Sequence, residues 1–199
     1  MNENTLEYHL NKVFEISEAF GVSDPLDKCK YRELIAAQKF GHTLFEGASG
    51  GKYNDETYGA DATDPAYTFG EFGFKVEYKS RKMDLCQYKK YCKGVLKKQF
   101  TMVYNGAYTF ENINRYKNIR HILNIFYKAK MVVSVEVPTD YVIEILTKNL
   151  EYDNVRRNNG EDVTTNCNSV AIQFIDNKPT IGSVIYDSRQ GAVLDFGTV

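Results

Sequence analysis

Several sequence features that define whole classes of protein are absent from these 199 residues. No two of the four cysteines are separated by two residues, which excludes zinc-ribbon and dithiol redox motifs. No apolar run approaches the roughly 18 to 20 residues that a membrane-spanning helix needs. The first ten residues have neither the basic nor the apolar region of a signal peptide. We therefore expect a cytoplasmic protein with no membrane partner, whose cysteines stay reduced and pack as small apolar side chains.

Motifs for nucleotide binding and for nucleophilic catalysis are also missing. The segment Ser49-Gly50-Gly51-Lys52 lacks the spacing of a phosphate-binding P-loop, and no dinucleotide fingerprint is present. The three histidines have no partner at metal-ligand spacing, so we expect each at the surface or satisfied in the core, with a DNA contact left open for His42. Cys167 has no convincing base partner, which argues against a cysteine nucleophile.

What the sequence does contain is the composition of one globular domain, with 43% hydrophobic and 14% aromatic residues. The order of predicted elements favours an α/β or α+β fold with a central mixed β-sheet flanked by helices. We expect a single domain over residues 1–199. It comprises a helical part (1–41), a hairpin region (42–82), and a basic segment with the closing strands (83–199).

Local patterns predict the individual elements. Helices are expected over residues 4–20, 24–40 and 83–98, after Thr109, and from Asp140 to about Asn149. The basic helix is expected to carry Leu85, Tyr88, Cys92 and Val95 on one face. Strands are expected at 60–64, 72–80, near 99–104, at 132–137, and in a closing hairpin over 169–187. Residues 41–59 and 151–168 are predicted as loops, and the run that begins at His121 is ambiguous between helix and strand.

The net charge of −1 hides an uneven distribution. Residues 75–130 carry fourteen Lys and Arg against three acids, a net charge of +11, whereas residues 1–74 and 131–199 carry −7 and −5. Tyrosines are interleaved with the basic residues of the central segment. Such a segment is typical of a surface that contacts nucleic acid, although a solvated basic face that balances acidic neighbours is the alternative.

A possible catalytic constellation lies at the start of this basic segment. In FGFKVEYKS, strict alternation places Glu77 and Lys79 on one face of a strand. Asp61 opens the short strand before it, and the helical period turns Glu33 inward. If the two strands pair, Asp61 or Asp64 can join Glu77 in offering carboxylate oxygens to Mg²⁺, with Lys79 beside them. The alternative is an exposed strand face, two turn acids and a surface glutamate.

The residues Asp61 and Glu77-Tyr78-Lys79 resemble the signature of the PD-(D/E)XK nuclease superfamily. Over about residues 30–82 the sequence is similar to type II restriction endonucleases. The resemblance implies a mixed sheet flanked by helices and Mg²⁺-dependent cleavage of double-stranded DNA. It implies Asp61 and Glu77 as metal ligands, Lys79 as the lysine that positions or activates water, and Glu33 as an auxiliary acid.

One departure from the motif concerns the upstream acid. Ala60 stands where the motif has proline, and Pro65 instead follows Asp64. The choice between Asp61 and Asp64 as metal ligand stays open, with Asp61 favoured because it opens the strand.

Base and phosphate contacts need Arg, Lys, Asn or Ser side chains on segments that reach the DNA. The candidates are Ser49, Lys52, Lys82, Lys89, Asn105, Arg115, Arg156, Arg157 and Asn158. We expect a sequence-specific endonuclease that acts as a homodimer on palindromic sites, in a host with a DNA methyltransferase for the same site. A structure-specific repair or recombination nuclease and a non-catalytic nucleic-acid-binding module are the alternatives.

Overall fold

The structure is a computed structural model that describes residues 6–20, 30–45, 60–66, 75–163, 167–190 and 192–193. The chain divides into two compact units, Met1–Val76 and Glu77–Val199, and the division falls inside a strand, β3 (Lys75–Lys82). The single nuclease domain stays a prediction, and the two units are described separately below.

The first unit contains two helices and a small group of strands. The helices are α1 (Leu6–Ala19) and α2 (Lys30–Phe40), and the strands are β1 (Thr43–Leu44), β2 (Ala62–Thr63) and the first two residues of β3. Strand β2 pairs antiparallel with β1 on one side and with β3 on the other. Strand β1 lies in a segment predicted as loop, because two residues are too few to show alternation and only their pairing with β2 makes them a strand.

The second unit contains the remaining elements that the structure describes. They are α3 (Leu85–Cys92), β4 (Lys98–Asn105), α4 (Phe110–Asn114), β5 (Ile119–Tyr127), β6 (Lys130–Val137), α5 (Thr139–Asn158), β7 (Cys167–Ile175), β8 (Lys178–Pro179), β9 (Ser183–Asp187) and β10 (Ala192–Val193). One sheet has the order β3-β5-β6-β9-β10 in this unit, and a second, antiparallel sheet has the order β4-β7-β8. The fold is α+β with a mixed sheet, which confirms the predicted class.

The segment that was ambiguous from the sequence forms the hairpin of β5 and β6. Residues 121–126 and 131–135 are all buried, so both faces of these strands are covered and the apolar run shows no alternation. The turn between them contains Lys128 at φ 55°. On the second sheet, Phe100 and Phe174 pack edge to face with 5.4 Å between ring centroids. Burial of each such large apolar side chain contributes roughly 1.5–3 kcal/mol.

Helix α3 is shorter than predicted, and its buried face is different. It begins at the predicted place, where Asp84 and Gln87 form a capping box, but it ends at Cys92 and Gly94 follows at φ 79°. The predicted apolar face is wrong for most of its members, because Leu85, Cys92 and Val95 are exposed whereas Tyr91 is buried.

Asn177 explains where the helix stops. Its side-chain oxygen accepts from the backbone N–H of Leu96, and its amide nitrogen donates to the carbonyl of Tyr91. This residue is distant in sequence and holds the chain as it leaves the helix. Cys86 and Cys92 are exposed, so the expectation of buried cysteines is wrong for both. The side chains of Cys29 and Cys167 lie outside the described part of the chain.

Helix α5 is longer than predicted. Residues 151–158 continue the helix, so their assignment to a loop is wrong. Val142, Leu146 and Leu150 form its buried stripe, and Gly160 follows its end at φ 81°. Asp140 lies in the first turn and is not the cap, because Pro138 occupies that position. No helix in the described ranges is long and apolar enough to span a membrane.

The predicted closing hairpin is also wrong. Strand β7 pairs with β4 and β8 in the small sheet, whereas β9 pairs with β6 and β10 in the mixed sheet. The tight turn joins β7 to β8 instead, and Asp176 and Asn177 both adopt positive φ there. The chain then passes Gly182, where a Cβ atom would collide with the backbone of Glu136, and enters the other sheet.

Candidate active site

Glu77 and Lys79 lie side by side on one face of β3, as the alternation of the strand predicts. The Lys79 ammonium contacts Oε1 of Glu77 directly. The Glu77 residue is only 5% exposed, and the side chain of Lys79 is 16% exposed. These two residues therefore do not form an exposed strand face. They form a largely desolvated ion pair, whose mutual attraction is stronger than that of a surface pair.

Strand β4 lies over this pair. The Nζ atom of Lys79 is 4.8 Å from the centroid of the Tyr104 ring, which is completely buried. Arg81, two residues further along β3, donates from Nε to the carbonyl of Thr101 on β4. The ammonium of Lys79 thus has a carboxylate and an aromatic face as neighbours, and both favour a cation.

A buried histidine continues the contacts beyond Tyr104. Nε2 of His121 lies 3.2 Å from the carbonyl oxygen of Tyr116, and Nδ1 lies 3.1 Å from the Tyr104 hydroxyl. Burial is the main factor that lowers the pKa of His121, to about 4; the Lys79 charge adds to this, while the Tyr116 carbonyl opposes it. Burial, followed by the charge of Glu77, raises the pKa of Tyr104. Both side chains are therefore neutral at pH 7.

We call Glu77, Lys79, Tyr104 and His121 the interior cluster. The sequence predicted the first two from strand alternation, and it allowed His121 as a satisfied core residue. Nothing in the sequence distinguishes Tyr104 from the other tyrosines that are interleaved with the basic residues. No local pattern could have joined it to Lys79, because the two side chains meet through the packing of β3 against β4.

Asp61 lies immediately before β2 in the first unit. Its backbone N–H donates to the carbonyl of Val76 at 2.8 Å, and its own carbonyl accepts from Phe45 at 3.0 Å. Val76 directly precedes Glu77 in the chain, but the division between the two units falls at this bond. A joint role of Asp61 and Glu77 in metal binding therefore stays a proposal.

Asp64 has a different environment within the same unit. Its Oδ1 accepts from the backbone N–H of Ala66 at 2.9 Å, and its Oδ2 lies 3.2 Å from Nε2 of His42. Both Asp64 and His42 are buried. His42 is thus a core residue that faces a carboxylate, and its contact with DNA from the loop stays a prediction. Both carboxylate oxygens of Asp64 thus have partners within the first unit, and the choice of Asp61 as the upstream metal ligand stays a prediction.

Glu33 points into the first unit, as the helical period predicts. Its Oε2 accepts from Nζ of Lys30 at 2.9 Å, and the side chain is only 12% exposed. The alternative of a solvated surface glutamate is therefore excluded. The pair is a second largely buried carboxylate–ammonium contact.

The predicted DNA contacts fall into three groups. Ser49 and Lys52 lie outside the described residues. Lys82, Lys89 and Asn105 are exposed in the second unit, and Arg115 is half-buried and forms an ion pair with Glu111 at 3.1 Å.

The third group, Arg156, Arg157 and Asn158, lies on the last turn of α5 and not in a loop. Arg156 is paired with Glu161 at 2.6 Å, and Arg157 donates to the Asn154 side chain at 2.9 Å. These guanidinium groups already have partners within the protein.

Helix α3 presents a different kind of basic surface. Lys89, Lys90 and Lys93 line an open recess of about 520 Å³ together with Leu85 and Cys86. The three lysines, here called the α3 lysine face, are exposed, and within the described ranges the structure gives none of them an ion-pair partner. At 100° per residue they lie within one third of the helix circumference. Unpaired ammonium groups on one helix face suit contact with a polyanion.

The predicted metal site offers carboxylate oxygens as ligands. This ion is usually bound through one or two carboxylates, with waters and phosphate oxygens as its other ligands. The carboxylates of Asp61 and Glu77 are donors of that kind. In the part of the chain that the structure describes, no group of three or more His, Cys, Asp or Glu side chains could hold a metal ion.

No protein-family model matches the sequence, and a search of the curated proteins finds no match.

Proposed function

We propose that this protein is a Mg²⁺-dependent DNA endonuclease of the restriction type, which hydrolyses phosphodiester bonds at specific sites in double-stranded DNA. The observation that carries the proposal is the Glu77–Lys79 pair, a carboxylate and an ammonium in contact on one strand face and largely withdrawn from water. The basic segment that begins at β3 supports it, because phosphodiester cleavage needs a positively charged surface around the scissile group.

Each residue has a role in the proposed reaction. Asp61 and Glu77 supply the carboxylates that hold Mg²⁺, which lowers the pKa of a bound water when present. Lys79 orients the attacking water and offsets the negative charge that develops on the phosphate. Glu33, paired with Lys30, is an auxiliary acid. Asp64 supports the fold of the first unit through its contacts with His42 and Ala66.

The wider assembly follows from the substrate. A palindromic site has two-fold symmetry, so a small protein that cuts both strands is expected to act as a homodimer. The enzyme is proposed to work in the cytoplasm of a host that also contains a DNA methyltransferase for the same site. The α3 lysine face contacts the phosphate backbone, together with Lys82.

The direct test is incubation of the full-length protein with supercoiled plasmid and Mg²⁺. We expect discrete fragments from the wild type, and a loss of at least about 100-fold in cleavage rate for Glu77→Gln, Lys79→Met and Asp61→Asn. Glu151→Gln and Lys178→Met are matched controls at exposed positions outside the basic segment and should cleave normally. Normal cleavage by the Glu77 or Lys79 variant would refute the proposed chemistry, and Asp61→Asn compared with Asp64→Asn decides between the two acids.

A non-catalytic nucleic-acid-binding module is the second candidate. It is favoured by the α3 lysine face, whose exposed ammonium groups suit contact with a polyanion whether or not a phosphodiester bond is cut. In that case the plasmid would shift in a gel but stay intact at every Mg²⁺ concentration. Cleavage restricted to branched substrates would instead indicate a structure-specific nuclease.

A further inference from the structure

We propose that Tyr104 is a positioning residue for Lys79, and that His121 holds Tyr104 in the orientation this requires. The inference rests on the proposed function, because it explains what holds Lys79, the lysine proposed to orient the attacking water. It is drawn from contacts within the second unit alone. Tyr104 lies on β4 and His121 on β5, in the two different sheets of that unit.

The hydrogen bonds of His121 fix the direction of each proton. The carbonyl of Tyr116 can only accept, so Nε2 of His121 carries the hydrogen and donates to it. In the neutral ring Nδ1 then has a free lone pair, and the Tyr104 hydroxyl donates to it at 3.1 Å. A protonated His121 would lose this acceptor. The neutral histidine therefore orients the phenol of Tyr104.

The ring of Tyr104 is held by packing as well. It meets the Tyr116 ring edge to face, with 5.1 Å between centroids and an interplanar angle of 80°, and the His121 ring at 5.5 Å and 70°. Tyr104 is fully buried, so it has no room to adopt another rotamer without displacing these neighbours. The face that it offers to Lys79 is consequently a fixed surface.

Lys79 has a long flexible side chain with three donor hydrogens, and a single carboxylate would not define its direction. Glu77 on β3 restrains the Lys79 ammonium through the ion pair. The Tyr104 ring on β4 attracts the same group, and its centroid lies 4.8 Å from Nζ of Lys79. Attraction between a cation and an aromatic face is strongest where water is excluded, as it is around this side chain. The two contacts together leave the ammonium a narrow range of positions.

The experiment compares three variants of the full-length protein. Tyr104→Phe keeps the ring and removes the hydroxyl, whereas Tyr104→Leu removes the aromatic face. Phe100→Leu is the matched control, because it removes a similarly buried ring from the same strand, one that packs edge to face on Phe174. Circular dichroism establishes that each variant is folded before comparison.

The first measurement is plasmid cleavage with kcat and KM determined separately. We expect Tyr104→Leu to lower kcat by about 30- to 100-fold with KM within about twofold, because the ammonium acts on the transition state and not on ground-state binding. Tyr104→Phe should retain kcat within about fivefold, and Phe100→Leu should resemble the wild type. An equal loss of kcat in Phe100→Leu and Tyr104→Leu would overturn the inference, because general loosening would then explain both.

The second measurement does not depend on catalysis. Amine acylation at one fixed pH, followed by peptide mass spectrometry, gives the rate at which Lys79 reacts relative to exposed Lys148. In Tyr104→Leu the Lys79 amine no longer contacts an aromatic face, so its acylation rate should rise about tenfold. In Tyr104→Phe and Phe100→Leu the acylation rate of Lys79 should stay within about twofold of the wild-type rate. An unchanged rate in Tyr104→Leu would refute the positioning role. If the wild type cuts no DNA, the proposed function fails, whereas this labelling still decides whether Tyr104 positions Lys79.

Discussion

The second unit holds two groups of charged side chains in opposite surroundings. In the interior cluster, Lys79 contacts a carboxylate and an aromatic face, and His121 uses both ring nitrogens in hydrogen bonds. On the α3 lysine face, by contrast, the ammonium groups are exposed and have no ion-pair partner among the described residues. Burial makes an unpaired charge costly, whereas a hydrated lysine needs no partner, so the same residue type serves two purposes.

This contrast separates two kinds of experimental response. Interactions of the interior cluster are shielded from salt and depend on protonation, since a histidine in it is kept neutral. Interactions of the α3 lysine face act through solvent, so they depend strongly on ionic strength and little on pH near neutrality.

The largest effect should be a loss of stability at mildly acidic pH that originates in His121. Its pKa is lowered in the folded state from 6.5 to about 4, so the unfolded chain takes up this proton first as the pH falls. The contribution is fully present above pH 6.5 and is lost between pH 6.5 and 4, by about 3 kcal/mol. Urea unfolding at several pH values in this window, for the wild type and His121→Gln, measures the difference.

The control for this prediction is His9→Gln, which changes an exposed histidine. Its stability should follow the wild-type pH dependence, whereas His121→Gln should lose most of the slope between pH 6.5 and 4. If the free energy of unfolding depends on pH in the same way for the wild type and His121→Gln, the fold does not keep the buried histidine neutral. That result would contradict the described difference between the interior cluster and the α3 lysine face.

The second effect concerns DNA affinity without Mg²⁺, measured by fluorescence anisotropy with a short labelled duplex. Replacing Lys89, Lys90 and Lys93 by Ala should weaken binding by about 10- to 100-fold at low salt. The slope of log K against log salt, between about 50 and 200 mM, should fall by about 3, because each lost phosphate contact removes about 0.9. Alanine is a good helix former, so α3 itself should persist.

A triple variant with the same change of charge provides the control. Lys12, Lys148 and Lys178 are exposed lysines outside the basic segment, and their replacement by Ala should leave the salt slope nearly unchanged. Equal effects of the two triple variants would mean that net charge, and not the α3 lysine face, governs binding.

The smallest effect is expected at the end of α5. Arg156 and Arg157 already have partners in Glu161 and Asn154, so the double change to Ala should alter DNA affinity by less than about twofold. The sequence had suggested these residues as readers of bases. A changed sequence preference in a cleavage-site selection with this double variant would contradict the present expectation and restore that role.

The sequence predicted the parts of the candidate site that depend on local periodicity. Alternation along β3 placed Glu77 beside Lys79, and the helical period turned Glu33 inward. Pro65 indicated that Asp64 belongs to a turn, and its side chain does bond to the N–H of Ala66. Each of these inferences needs only the geometry of a few neighbouring residues, which strand and helix periods determine.

Boundaries and partners that depend on distant residues were not predictable. Helix α3 ends where Asn177 holds the backbone of Tyr91 and Leu96, and α5 continues through a polar segment that follows its buried stripe. The sequence predicts a hairpin for the closing strands because two strand patterns follow each other with only a short turn segment between them. Tertiary packing assigned them to different sheets instead.

The amino-acid sequence was therefore enough to predict an α/β or α+β domain with a mixed sheet, the strand face shared by Glu77 and Lys79, and the basic charge between residues 75 and 130. The packing of the folded chain determines which of these charges are buried with partners and which are exposed. Periodicity and composition act between near neighbours, whereas desolvation depends on every element that packs around a side chain. Tyr104 reaches Lys79 from β4 and is itself contacted by His121 on β5, whereas α3 leaves its lysines in water.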